Sequence, residues 1–337
     1  MRLPTPRGPL SAALCADLVD GPTLRPGTLA TAETLAVASS TPLTDEDLQL
    51  SLGICYELHY RGFDDVDDAW EWDPDLLRLR ALLEQRHLAA LRELVGELEV
   101  TDDPVDQQLA ALIAADDGPS LSRYLARHGT LEQWREYLTL RSVYHLKEGD
   151  PHTWAIPRLS GRAKAAMVEI QADEYGGGSA ERMHSRLFAG MMRDLGLDAG
   201  YGALWDGAPA VAFTAVNTMS LFGLHRSSRA ACLGHLTAVE MTSSEPSRRY
   251  SSGLRRLGFG EATTVFYDEH VEADAVHEQI AAVDMCGSLV AEDPSSTAGV
   301  LFGAACSLAL DGLTAVHLLG AWEADRSGLR TGLPAAA

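Results

Sequence analysis

Apolar residues recur at three- and four-residue spacing through most of the 337 residues, and alternating β-branched runs of strand length are hard to find. That pattern lays one apolar stripe along each helix and gives no two-residue alternation for a half-buried sheet, so the fold class is predicted to be all-α. An apolar content of 46% supplies core enough for a chain of this length to fold without staples.

The first forty residues, rich in Pro, Gly and Thr, read as an irregular arm. Thr44 is the expected cap of a helix reaching about Phe63, followed by helices over Pro74 to Val100, Pro104 to Ala114, Ser120 to His128 and Thr130 to Lys147. Gly149, Pro151 and Pro157 then punctuate the chain. Further helices are expected over Ser160 to Tyr175, Ala180 to Leu195, Ala210 to Leu224, Ser227 to Ser244, Ser247 to Leu257, Thr263 to Leu289 and Val300 to Arg326. The expected organisation is an N-terminal arm with accessory helices over 1–140, a core over 141–326 and a flexible tail over 327–337.

A net charge of -21 repels a nucleic-acid backbone or an anionic membrane surface, so neither is an expected partner. The five cysteines are widely spaced with no C-x-x-C, which suits reduced thiols and a cytoplasmic location. The N-terminal stretch breaks at Pro9 and reaches Asp17 and Asp20 too soon for a signal peptide, and no uninterrupted apolar run is long enough for a transmembrane span. Phosphate-binding and serine-hydrolase motifs are missing.

The sharpest local feature is FYDEHVEADAVHEQ. Its His270, Asp274 and His277 stand at i, i+4 and i+7 and fall within about 60° of a helical surface. Imidazole and carboxylate on one stripe suit iron, manganese or zinc, whereas the crowd of neighbouring acids suits a solvated face. Upstream, VEIQADEYGGGSAERMHSRLF offers Glu174 and His184, with a glycine run between them that can fold the two onto one side. Glu181, at E-x-x-H spacing from His184, competes with Glu174. Glu148 in HLKEGDPH and Glu240 in the apolar stretch LGHLTAVEM complete the set, a lone acid in such a stretch being costly to bury unless paired or metal-bound. Four carboxylates, Glu148, Glu174, Glu240 and Asp274, would balance two ferrous ions, with neutral His184, His270 and His277 completing coordination; without metal, four clustered carboxylates would have to take up protons.

Other candidates weigh toward structural roles. Glu57 and His59 sit far from the cluster in the accessory region, and His225, Arg226 and His235 point away from the Glu240 stripe of a regular helix. His145 and His152 flank Glu148 as donors to its carboxylate or as helix caps. Arg158, Arg248 and Arg249 could clamp a substrate carboxylate.

Taken in order, Glu148, Glu174 with His184, Glu240, then H-x-x-x-D-x-x-H at His270, Asp274 and His277, together with DPHTWAIPRL and QADEYGGG, resemble the haem-oxygenase-like diiron oxidase and oxygenase family, the bacterial iron-containing redox enzymes. The resemblance spans roughly Arg141 to Trp322. It implies a haem-oxygenase-like helical bundle, two iron ions held by those seven residues, and O2 as co-substrate. It further implies a small organic substrate, an amino acid being favoured, oxidised at a C–H bond in natural-product biosynthesis by desaturation or cyclisation, azetidine formation included. N-oxygenation of an amine or amino acid, and a ferroxidase or iron-binding role without organic substrate, are the alternatives. Homodimerisation through the N-terminal helices is carried over from the N-oxygenating branch. Only one E-x-x-H is present, unlike ferritin-like carboxylate proteins, and the acidic cluster does not suit haem.

Overall fold

The computed structural model describes residues 1–332, apart from the side chains of Asp274 and Ala275. Helices follow one another as α1 (Pro9–Asp20), α2 (Pro26–Ala38), α3 (Glu46–Glu57), α4 (Pro74–Val95), α5 (Val105–Ala114), α6 (Leu121–Arg127), α7 (Leu131–His145), α8 (Asp150–Thr153), α9 (Gly161–Glu174), α10 (His184–Asp194), α11 (Ala210–Leu224), α12 (Arg229–Arg256), α13 (Glu261–Gln279), α14 (Ser288–Glu292) and α15 (Thr297–Glu323). No strand occurs among the described residues, and the fold is all-α, as the periodicity requires.

The 28-residue α12 is the central beam, packing along α15 on one side and α13 on another. It was expected as two helices split near Pro246. Pro246 instead lies inside one continuous helix, at a position where the wall of a cavity begins. Helix α13 runs on into a π-helical turn over Ile280–Gly287 before α14, so the single long helix expected there changes its winding just past His277.

Two expectations at the ends of the chain are corrected. The first forty residues are not an irregular arm, because Pro9 and Pro26 occupy the first turns of α1 and α2, where the missing N–H is no loss and the fixed φ favours the helix. Asp45, not Thr44, caps α3, its carboxylate accepting from the Asp47 and Leu48 nitrogens. At the other end, 327–332 is docked: the Gly328 nitrogen donates to the buried Glu136 carboxylate (2.8 Å), which Trp322 Nε1 also reaches, and the Arg330 nitrogen donates to the Gly207 carbonyl. A buried carboxylate needs such donors, and the tail supplies one.

Polar pairs bind the N-terminal helices to the rest. Gln49 on α3 meets His87 on α4 (3.0 Å) and accepts from Asn217 on α11, while His87 Nε2 lies 2.8 Å from Thr218 Oγ1. Fully buried Glu57 ion-pairs with Lys147 (3.0 Å) and accepts from Tyr201 (2.9 Å). His59 pairs with Glu71 and Arg80, and His225 with Glu84, so these polar residues serve packing. By length and composition one helix, Pro294–Glu323, could cross a membrane; half of its most apolar window is buried inside the protein, where it packs against α12.

Candidate metal centre

Glu148 stands in the turn between α7 and α8 and is only 6% exposed. Gly149, at φ +86°, follows it; a Cβ there would stand 3.2 Å from Glu174 Cβ, so a left-handed glycine lets this turn press against the end of α9. Helix α9 stops at Glu174, and Gly176, Gly177 and Gly178 all take positive φ. A Cβ on Gly176 would lie 2.6 Å from the Met183 nitrogen. This tight reversal returns the chain to start α10 at His184, whose Nδ1 lies 3.0 Å from Glu174 Oε2. Of the two acids that compete by spacing, Glu174 is therefore the one beside His184, and Glu181 is exposed and hydrogen-bonded by Ser179. Gly176→Ala is expected to separate Glu174 from His184 and to weaken metal binding more than it weakens folding, which metal titration alongside thermal unfolding would show. The forced φ costs on the order of 1–2 kcal/mol before the clash is counted.

Helix α13 contributes two histidines. His270 Nδ1 donates to the Phe266 carbonyl (2.7 Å), which leaves Nε2 as the lone-pair nitrogen, 3.7 Å from Glu148 Oε1. One ligand atom each from Glu148, His184 and His270 lies within 4.8 Å of the others. His277 sits two turns further along, its Nε2 2.9 Å from Asp173 Oδ2 and its Nδ1 3.3 Å from Glu240 Oε2. The Asp274 side chain lies outside the described residues. Glu148, Glu174, His184 and His270 thus converge, Glu240 pairs with His277, and Glu148, Glu174, Glu240 and His270 open on one cavity.

Sequence reasoning passed over Asp173. Its carboxylate on the outer nitrogen of His277 is the support that metal-binding imidazoles commonly have, and the adjacent acids of QADEY were the available signal. His145 does stand as a donor to Glu148, at 2.7 Å. His235 was expected to point away from the Glu240 stripe, yet both line the cavity. It is 3.2 Å from His152, and burial holds both imidazoles neutral at physiological pH, His152 down to about 4 and His235 well below its ordinary value.

Burial works to raise the Glu148 carboxyl, but His145 and His270 outweigh it and hold the group well below the usual carboxylate range. His184 feels the opposite contest: burial lowers it, and Glu174 carries it above its ordinary value. For His277, burial lowers and Glu240 with Asp173 raises, to about 9. A histidine raised from 6.5 to about 9 stabilises the folded state fully below pH 6.5 and loses that contribution as pH climbs through 9. Metal-free protein is accordingly expected to lose on the order of 2 kcal/mol of stability between pH 6.5 and 9 from this group, a loss that His277→Gln should abolish in denaturant titrations.

Glu148 Oε2 is buried without a hydrogen-bond partner among the described residues, and beyond their mutual 3.0 Å contact neither Glu174 Oε2 nor His184 Nδ1 has one. A buried carboxylate oxygen without a donor beside a buried Glu and His pair is costly, and a cation between them would engage all three atoms. A mixed carboxylate and imidazole donor set fits iron. The cavity that Glu148 and Glu174 line has a volume of about 310 Å³, with α7, α12, α13 and α15 in its walls. A second cavity, about 210 Å³ and lined by Arg158, Arg226, Arg229, Glu292 and Asp293 among others, shares none of these residues.

All-helical architecture with a buried carboxylate and histidine cluster that could hold a metal ion sets the class of this protein. The model of the iron-containing redox enzyme family matches residues 135–312, just over half of the chain, and the chain belongs to that haem-oxygenase-like family. It is therefore an iron-containing redox enzyme. No curated protein matches it.

Proposed function

We propose that this chain is a diiron enzyme that uses O2 to oxidise a C–H bond of a small amino acid, by desaturation or ring closure, azetidine formation included. Glu148, Glu174, His184 and His270 would hold iron at one end of the cluster, and Glu240, Asp274 and His277 at the other. When bound, the two ferrous ions supply two of the four electrons that reduce O2 to two waters; the substrate gives the other two as it loses two hydrogens, and an external electron donor restores the ferrous state. The observation that carries this reading is the unpartnered Glu148 Oε2 beside the buried Glu174 and His184 pair, next to a cavity large enough for an amino acid.

The protein's own groups have distinct tasks. His145 and the Phe266 carbonyl fix the orientation of Glu148 and His270, and Asp173 does so for His277. Val239, Leu236, Met219 and Phe266 give the cavity an apolar wall that excludes water from a reacting carbon. The neutral pair His152 and His235 offers lone pairs and one shared proton beside Glu148 and Glu240 without adding charge.

The test is stopped-flow absorbance and O2 consumption with ferrous-loaded protein across the free L-amino acids. One amino acid should accelerate the reaction and emerge lighter by two hydrogens in mass spectrometry. Uptake that matches the iron content and ignores every amino acid would contradict the proposal in favour of a ferroxidase.

A further inference from the structure

Arg158, Arg248 and Arg249, the arginines that sequence spacing offers as carboxylate clamps, are engaged elsewhere. Arg158 caps the Gly223 and Leu224 carbonyls at the end of α11, and Arg248 and Arg249 pair with Glu245. Arg141 is different. It stands on α7 four residues before His145, with Glu148 three residues past the end of that helix, and all three line the same cavity. Among the described lining residues it is the one Arg or Lys.

Its guanidinium lies over the Tyr137 ring at 5.4 Å, with Nη2 paired to Asp311 on α15, which also lines the cavity. Nε is buried and has no acceptor. The Asp311 side chain is 58% exposed, so the cavity wall presents an anion and a cation side by side. The four helical residues from Arg141 to His145 alone span about 6 Å of axial rise, and Glu148 lies in the turn beyond them. An opposite-charge pair in the cavity wall, more than one helical turn from the Glu148 and His270 cluster, matches a zwitterionic head with a carbon chain pointing toward that cluster.

We propose that the Arg141 and Asp311 pair is the head-group site for an α-amino acid, the α-carboxylate pairing with the Arg141 guanidinium and the α-ammonium donating to Asp311, so that the amino acid's side chain reaches toward Glu148 and His270. This rests on the amino-acid reading above and adds which residues select the substrate. Arg141 and Asp311 are specificity-determining residues and touch the substrate far from the reacting carbon.

The experiment is anaerobic calorimetric titration of iron-loaded wild type, Arg141→Gln and Asp311→Asn, first with the proteinogenic L-amino acids and then with the amide and the des-amino acid of the tightest binder. Wild type should prefer the acid over its amide by about tenfold or more, the size of one charge-assisted hydrogen bond to a buried donor. Arg141→Gln should lose that preference while keeping its iron, and Asp311→Asn should lose the preference for the amino acid over the des-amino acid. Equal binding of acid and amide to wild type, unchanged discrimination by Arg141→Gln, or no amino acid bound at all overturns the head-group site. Metal analysis of the same samples separates that failure from failure of the diiron reading, which would appear as less than one iron per chain whatever the amino acid.

Discussion

His270→Ala is expected to lower bound iron by at least one equivalent per chain and amino-acid-dependent O2 consumption by roughly a hundredfold or more, since even outer supports of metal ligands are worth about 10- to 100-fold. The reason lies in the lone-pair nitrogen that the Phe266 carbonyl leaves facing Glu148. Asp173→Asn, one step removed, should weaken iron binding by about 10- to 100-fold and spare the stoichiometry at saturating metal. Metal analysis after anaerobic dialysis reads both. Retention of full iron by His270→Ala would exclude this imidazole from the cluster.

Lys147→Met should destabilise the chain by about 3–5 kcal/mol, the usual cost of leaving the other half of a buried ion pair uncompensated. Lys147 and Glu57 are 3% and 0% exposed at their side chains and meet at 3.0 Å, and Tyr201 and the Arg61 backbone nitrogen are further donors to Glu57. Because Lys147 immediately precedes Glu148, the loss should also loosen the turn that presents this carboxylate. Urea unfolding would measure the first effect, and iron affinity of the folded fraction the second. The double replacement Glu57→Leu with Lys147→Met should recover most of the stability, since an apolar pair carries no uncompensated charge.

Sequence pattern made the helical class readable because burial against neighbours follows the three- and four-residue spacing directly. Ala210–Leu224 emerges with the bounds its apolar run suggests. Where prolines governed the outcome the reading failed, at Pro9 and Pro26, which start helices, and at Pro246, which α12 absorbs. A proline's effect depends on whether its position needs the missing N–H, and composition does not tell that. The i, i+4, i+7 stripe placed His270 and His277 on one face of α13, and the glycine run announced the reversal that joins Glu174 to His184. Residues whose roles depend on a second helix stayed hidden: Asp173 meets His277 across 104 positions, His152 meets His235 across 83, and Arg141 meets Asp311 across 170.

Anaerobic equilibrium binding of ferrous iron to the whole chain, with the bound metal counted per protein, addresses the central claim most directly. Convergence of the Glu148, Glu174, His184 and His270 group with the Glu240 and His277 pair predicts saturation at two equivalents, falling to one or fewer in His270→Ala. Saturation of the wild type below one equivalent, or iron uptake indifferent to that substitution, would contradict it.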